Sequence, residues 1–219
     1  MNSPRPMQRT ITVTQRKGGV GKTTIAICIA AELTRRGHDV ALVDSDPQRS
    51  ASQWAEPGNL EFPVYEMALT DTSVSAWAQE VRNIRAGLVV IDTAPNAREM
   101  GASVALANVI LVPCTPSGLD IDATAQTLAI IGAARERRRD RIKVILVPNR
   151  LDRRTLEGQQ VVEELSEFGE IVAPPIASRS AFVRCFTSGQ SVASFMPGDA
   201  ADREIQRLTD AVERAIREE

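Results

Sequence analysis

Eight residues near the start of the chain, Lys17-Gly18-Gly19-Val20-Gly21-Lys22-Thr23-Thr24, have the types and spacing that bind a phosphate chain. Glycines let the backbone approach an anion closely and take φ values that a Cβ forbids. Successive N–H groups then turn inward at the positive end of a helix dipole. Lys22 adds a mobile charge for the β- and γ-phosphates, and Thr23 places a hydroxyl where Mg²⁺ would sit. Three acids extend this chemistry. Asp44 and Asp46 stand in Val43-Asp44-Ser45-Asp46-Pro47-Gln48, and Asp92 stands in Val90-Ile91-Asp92-Thr93-Ala94-Pro95. An acid directly after an apolar run is costly to leave beside a core without a partner. A bound Mg²⁺ or the loop lysines would supply one. Taken singly, each aspartate reads equally well as a helix cap or turn former. Three of them, downstream of a phosphate loop, point to a metal-assisted triphosphate site.

The elements that must position these groups follow from hydrophobic patterning. Thr10–Thr14 is a β-branched run leading into the loop, and Ile25–Leu33 after it has helix-forming content. Arg36-Gly37 is a helix stop. Val40–Asp44, Leu88–Asp92, Val109–Pro113 and Val144–Pro148 are continuous apolar runs, and 62–66 is a weaker strand. Helices are expected over 50–54, 73–84, 121–138, 155–168 and 202–218. In the second of these, Val74, Trp77, Val81 and Ile84 share one face. Continuous apolar strands alternating with helices indicate an α/β fold: a single-domain, mostly parallel twisted sheet with helices on both faces. In such sheets ligands bind at the carboxyl ends of the strands, where all three acids stand. Residues 1–9 are expected to be a flexible polar arm, with Pro4 and Pro6 discouraging structure, and 10–219 the nucleotide-binding domain.

Composition sets limits. The chain has 219 residues, a net charge of −2, 43% hydrophobic and 25% charged residues, and Cys28, Cys114 and Cys185 far apart. A core of this size suits one domain. The near-neutral charge gives no global basic field, so any DNA contact needs a local patch. Unpaired cysteines argue against a zinc site, an iron–sulfur carrier or a disulfide framework, and they suit a reducing cytosol. No apolar run reaches the length of a membrane span.

The sequence K-G-G-V-G-K-T, with Arg16 where the common phosphate loop has its first glycine, resembles the deviant Walker A motif of the ParA/MinD family of ATPases. D-x-D-P-Q resembles that family's A′ motif and I-D-T-A-P its Walker B region. The likeness is greatest to the short, ParF-like plasmid partition branch. Asp46-Pro47-Gln48 with Ser50 and Trp54, Val112–Ser117 with Leu119-Asp120, and Arg179, Arg184, Gly189 and Ser191-Val192 carry it. The resemblance implies a P-loop ATPase using ATP and Mg²⁺. Lys22 and Lys17 would act on the phosphates, with Lys17 reaching across a dimer interface to the partner's nucleotide. Asp46 would position the attacking water. Asp44 would support the Mg²⁺ shell and the lysines, and Asp92 would hold Mg²⁺ through a water. Asn149 is a candidate for the adenine edge, with a turn role equally open, and Pro175 in Pro174-Pro175 a candidate wall for the base.

The resemblance further implies an ATP-dependent homodimer, with higher-order assembly left open. Such a dimer binds DNA without sequence preference and is stimulated by a ParB-like centromere-binding protein or cargo adaptor. It would be cytoplasmic and nucleoid-associated, with no membrane partner. Candidate DNA contacts are Arg179 and Arg184 first, then Arg150, Arg153 and Arg154, with Arg203 and Arg207 sharing a helix face. The run Arg135, Arg137, Arg138, Arg139 and Arg141 reads more readily as a solvated helix end. Positioning of a protein cargo, such as a carboxysome or chemoreceptor cluster, is the main alternative. A MinD-like membrane switch is less favoured, because Ile205, Leu208, Val212 and Ile216 form only a narrow stripe. A biosynthetic ligase or amidotransferase lacks a further acid–base cluster. The first nine residues are too few for the helix-turn-helix domain of longer relatives, so operator-specific repression is not expected.

Overall fold

The computed structural model describes residues 8–70, 72–138 and 142–217. Seven parallel strands form its sheet: β1 Arg9–Val13, β2 Val40–Asp44, β3 Val64–Glu66, β4 Leu88–Asp92, β5 Val109–Cys114, β6 Lys143–Pro148 and β7 Ile171–Val172, in spatial order β3-β2-β4-β1-β5-β6-β7. β1 lies at the centre, with chain progression running one way through β4 and β2 and the other way through β5 and β6. That reversal opens a crevice above the carboxyl end of β1. Register then places the acids. Asp44 of β2 lies opposite Asp92 of β4, and Asp92 lies opposite Val13, the last residue of β1.

The strands are apolar throughout because both faces are covered. One face packs against α1 Lys22–Arg35, α7 Ser180–Ser188, α8 Val192–Phe195 and α9 Ala200–Arg217. Ile11, Val13, Leu42 and Val90 point to this side, and Ala41, Val43, Val89 and Ile91 to the other. On that other face α3 Val74–Asn83 brings Trp77 and Val81 to β2 and β4. α4 Ala97–Leu106, α5 Gly118–Arg135 and α6 Leu156–Ser166 cover β5 and β6 with Met100, Val104, Ile131, Val161 and Leu165. The remaining helix, α2 Ser50–Ala55, follows the Asp44–Asp46 loop.

α1 is buried along nearly its whole length, wedged between the sheet and α9. Its end is clamped by Arg36, which donates to Asp210 at 2.8 Å, Glu213 at 3.0 Å and the Gln206 carbonyl at 3.0 Å on α9. The stripe Ile205, Leu208 and Val212 is fully buried in this contact.

Several boundaries differ from expectation for identifiable reasons. Arg9, assigned to the arm, is the first residue of β1; residues 1–7 lie outside the described residues, as do Arg139 and Arg141. α1 begins at Lys22, three residues early, because the loop's last glycine is itself the helix N-cap. Ser73 and Thr155 are caps rather than helix members; their hydroxyls accept from Ala76 and Gly158 N–H. Val74 is exposed, off the face that Trp77, Val81 and Ile84 bury. α4 has no counterpart in the expected elements.

Candidate nucleotide-binding site

The phosphate loop is pinned at both ends by buried hydrogen bonds. Thr93 Oγ1 donates to the Val13 carbonyl at 3.1 Å and shares a hydrogen bond with Thr14 Oγ1 at 2.9 Å. The Gln15 amide nitrogen donates to the Pro113 carbonyl and Thr124 Oγ1. Its oxygen accepts from Arg16 N–H at 2.8 Å and from Thr127 Oγ1 at 2.7 Å. The start of the loop is thereby fastened to β5 and α5. At its far end Asn149, at the tip of β6, donates from Nδ2 to the Val20 carbonyl at 2.7 Å. Gly21 has φ +95° and caps α1, and a Cβ there would lie 2.5 Å from Asn149 Nδ2. Both facts require glycine. The first turn of α1 has no side-chain cap and no acid, so its N–H groups face the crevice unopposed. Lys22 is buried beside them and donates to the Lys17 carbonyl at 3.2 Å. Burial lowers its pKa, against the pull of Asp92 and Asp46.

The three acids have different surroundings. Asp44 is buried, and its oxygens are taken: Oδ1 accepts from Asp46 N–H at 3.2 Å, and Oδ2 from Ser52 N–H and Oγ, both at 2.8 Å. It therefore ties α2 and the Asp46 turn to the end of β2, a positioning role beyond the metal support implied by resemblance. Burial raises its pKa despite these bonds. Asp46 is half-buried on the cleft wall and accepts Gln48 N–H at 2.9 Å. Asp92 is fully buried, and neither of its oxygens has a hydrogen-bond partner. Burial pushes its pKa up to about 7, opposed by the Thr23 hydroxyl, which lies close but makes no hydrogen bond of good geometry. Asp44 adds to the rise, and Lys22 opposes it.

An orphaned carboxylate next to the Thr23 hydroxyl is a donor set that suits a hard cation such as Mg²⁺. Among the described residues no three acids, histidines or cysteines converge to hold a metal alone. An ion here would draw its other oxygens from water and a nucleotide, as Mg²⁺ commonly does.

Lys17 is half-exposed and forms an ion pair with buried Asp120, in the first turn of α5. Asp120 also accepts from Thr115 N–H and its hydroxyl. In the single chain the first loop lysine is thus held by a neighbour on its own subunit. A pocket beside the loop contains this pair, together with Asp152, Thr155 and Glu157.

The crevice above Lys22 and Thr23 has a volume of about 760 Å³, ample for a nucleotide. Its polar end is the loop with Asp46. Its apolar end is built by Trp54, Ile176, Phe182, Val183 and Phe186. Trp54 and Phe186 pack edge to face with centroids 5.5 Å apart, and Trp54 Nε1 donates to the Gln190 carbonyl. Apart from Trp54, this wall was not legible as part of the site. Phe182, Val183 and Phe186 come from α7, and Ile176 from the chain after β7. Asn149 lines the cleft and gives one of its two amide hydrogens to the loop, which leaves the other hydrogen and the amide oxygen for a base edge. One expectation at this end is corrected. The chain that walls the cleft after β7 is 176–179, one residue beyond Pro175.

The arginines are also redistributed. Arg179 faces this cleft and forks onto Glu204 of α9 at 2.7 and 3.0 Å, so it is not the free surface cation expected for DNA. Arg154 pairs with Asp152. Arg150 stands at the cleft, against the loop. Arg203 bonds the Gly198 carbonyl. Arg135 bonds Glu170 and the Ile142 carbonyl, and Arg138 the Ala107 carbonyl, so these two are engaged rather than solvated. Arg153 and Arg184 are exposed without ion pairs among the described residues; Arg184 lies over the Phe195 ring. The three cysteines are free and buried, and burial pushes Cys28 up to about 12, so they offer no nucleophile.

Residues 11–192 match the CobQ/CobB/MinD/ParA nucleotide binding domain. Protein ParA of Rhizobium radiobacter is 30% identical over 190 residues, 84% of this chain and 85% of its own. Maintenance of carboxysome distribution protein A of Halothiobacillus neapolitanus is 30% identical over 213 residues, 93% of this chain and 95% of its own. In three dimensions the chain is similar to the MinD cell division protein of Aquifex aeolicus. The TM-score is 0.78 at 17% identity, covering 94% of this chain and 97% of that one.

Proposed function

This chain belongs to the CobQ/CobB/MinD/ParA nucleotide-binding family; from that premise we propose that it is a ParA-type partition ATPase. It binds ATP with Mg²⁺, dimerises, binds DNA without sequence preference, and hydrolyses ATP when a ParB-like adaptor stimulates it, so that plasmid or chromosomal DNA is segregated. The observation that carries the ATPase reading is Asp92, a fully buried carboxylate with two unpartnered oxygens beside Thr23 and Lys22. Burial makes that charge costly in the free chain, and a bound cation would offset the cost.

Thr23, through its hydroxyl, and Asp92, through a water, would hold Mg²⁺, which would supply charge neutralisation at the phosphates. Lys22 and the N–H groups of 18–24 hold the phosphates. Asp46 orients a water in line with the γ-phosphorus. The water's oxygen bonds to phosphorus as the bond to the β–γ bridging oxygen breaks, leaving ADP and phosphate. Asp44 keeps the Asp46 turn in place through Ser52. Lys17 exchanges Asp120 for the nucleotide of a second copy, which makes hydrolysis slow in a lone subunit. Arg153 and Arg184 are the arginines we assign to DNA phosphates.

A protein-cargo reading is favoured by two relatives named for maintenance of carboxysome distribution, from Halothiobacillus neapolitanus and Gloeobacter kilaueensis. A membrane-switch reading meets a physical obstacle. Turning the α9 stripe to lipid would strip Ile205, Leu208 and Val212 from the core, roughly 2 kcal/mol each. Retention of DNA with ATP, ADP or no nucleotide, alongside phosphate release, tests the reading. ATP-specific retention supports it, and retention indifferent to nucleotide would refute the switch.

A further inference from the structure

Two non-glycine residues among those described have left-handed backbones, Arg49 and Arg150, both with φ +56°. L-residues other than asparagine and aspartate rarely adopt this conformation, and it persists where the surroundings impose it. Arg49 is accounted for: its N–H closes a turn on the Asp46 carbonyl at 2.8 Å, and its side chain pairs with Glu66 at 2.7 Å. Arg150 is not. Its side chain makes no hydrogen bond or ion pair among the described residues, although Asp152 stands two residues away and binds Arg154 instead. The left-handed turn aims it back over the phosphate loop. Its Nε lies 4.0 Å from where a Cβ on Gly21 would be, next to the Asn149 amide. Arg150 also borders both the nucleotide crevice and the Lys17 pocket, as do Gly18 and Gly19 of the loop.

We propose that Arg150 is a base-clamping residue: its guanidinium plane covers one face of the nucleotide's base in the crevice. This rests on the proposed function only in requiring that a nucleotide occupy the crevice. Three physical points support it. A planar, weakly hydrated cation stacks on aromatic rings, and an unpaired one is free to do so. Asn149 locks β6 to Val20, so the residue after it is carried at a fixed height above the loop. The opposite wall, Ile176 and Phe182, is apolar, as the other face of a stacked ring requires. A backbone strained to hold a solvated DNA-binding arginine would gain nothing, since such a side chain works from any surface conformation.

The test is calorimetric binding of ATP, ADP and inorganic tripolyphosphate to wild type, Arg150→Gly and Arg150→Lys. Glycine takes φ +56° freely, so a thermal midpoint at or above wild type shows that the glycine variant is folded. ATP and ADP should weaken by the same factor, between about 3-fold and 30-fold, with tripolyphosphate unchanged and the lysine variant intermediate. Equal ATP affinity in wild type and Arg150→Gly overturns the inference. So does an equal loss for tripolyphosphate, which would make Arg150 a phosphate ligand, or a loss of DNA retention with nucleotide affinities intact. A wild type that binds no ATP removes the nucleotide reading and this one together; a wild type and glycine variant that bind equally remove this one alone.

Discussion

Replacing Asp92 with asparagine should make the nucleotide-free protein more stable, and by an amount that depends on pH. The Asp92 carboxyl ordinarily loses its proton near 3.8 and here holds it to about 7, chiefly because burial penalises the charge. Between those values the folded protein keeps a proton that the unfolded chain has released, so raising the pH removes stability across that window. Below it both states are protonated and nothing is lost; above it the whole penalty stands. Each pH unit of the gap is worth about 1.4 kcal/mol, so the ionised site costs on the order of 4 kcal/mol, an upper value because relaxation around a buried charge lessens its penalty. Asp92→Asn keeps the shape and lacks the charge. Urea denaturation without nucleotide or divalent metal should find the variant close to wild type at pH 4 and about 2–4 kcal/mol more stable at pH 8. The variant should also gain less than wild type when Mg²⁺ and ATP are added, because it has lost the group that a ligand completes. A variant no more stable than wild type at pH 8, or a stability difference that is flat with pH, would refute the buried-charge reasoning.

Other consequences are open to direct measurement. Gly21→Ala combines a left-handed backbone with a Cβ 2.5 Å from Asn149 Nδ2. It should cost about 2–4 kcal/mol of stability and at least tenfold in ATP affinity; unchanged ATP affinity would mean that Asn149 moves aside freely. Asp120→Asn removes the ion-pair partner of Lys17, whose half-exposed ammonium keeps the pair's worth to about 1 kcal/mol. ATP-dependent dimerisation should tighten up to about fivefold, and weaker dimerisation would show that Asp120 serves the interface itself. Arg153→Ala with Arg184→Ala should lower the slope of log DNA affinity against log salt by about 2 while ATP binding holds. An unchanged slope would move the DNA contact elsewhere.

The phosphate loop and the strand-end acids were legible because their chemistry sits where local pattern is strongest. A continuous apolar run names a buried strand, and parallel order puts every carboxyl end on one edge. Register alone then sets Asp44 opposite Asp92. The arginines were not legible. Their partners are remote in sequence: Glu204 for Arg179 and Glu170 for Arg135. No spacing rule links such pairs. Asn149 shows the same limit, since its bond to Val20 crosses 129 residues. α4 escaped because Gly101, Ala102 and Ser103 blur its periodicity, and its one clear signal is Asn96, whose side chain accepts from Arg98 and Glu99 N–H. The left-handed turn at Arg150 has no signal in residue type at all, since asparagine or glycine would be expected there.

In the proposed switch one triphosphate joins two copies of this chain through Lys17. Light scattering with Mg²⁺ and a non-hydrolysable ATP analogue measures that joining, on wild type and Lys17→Ala in parallel. Wild type should double its mass, while Lys17→Ala should bind the analogue and stay a monomer. Wild type that binds the analogue yet remains a monomer, or a Lys17→Ala variant that dimerises as well as wild type, would contradict it.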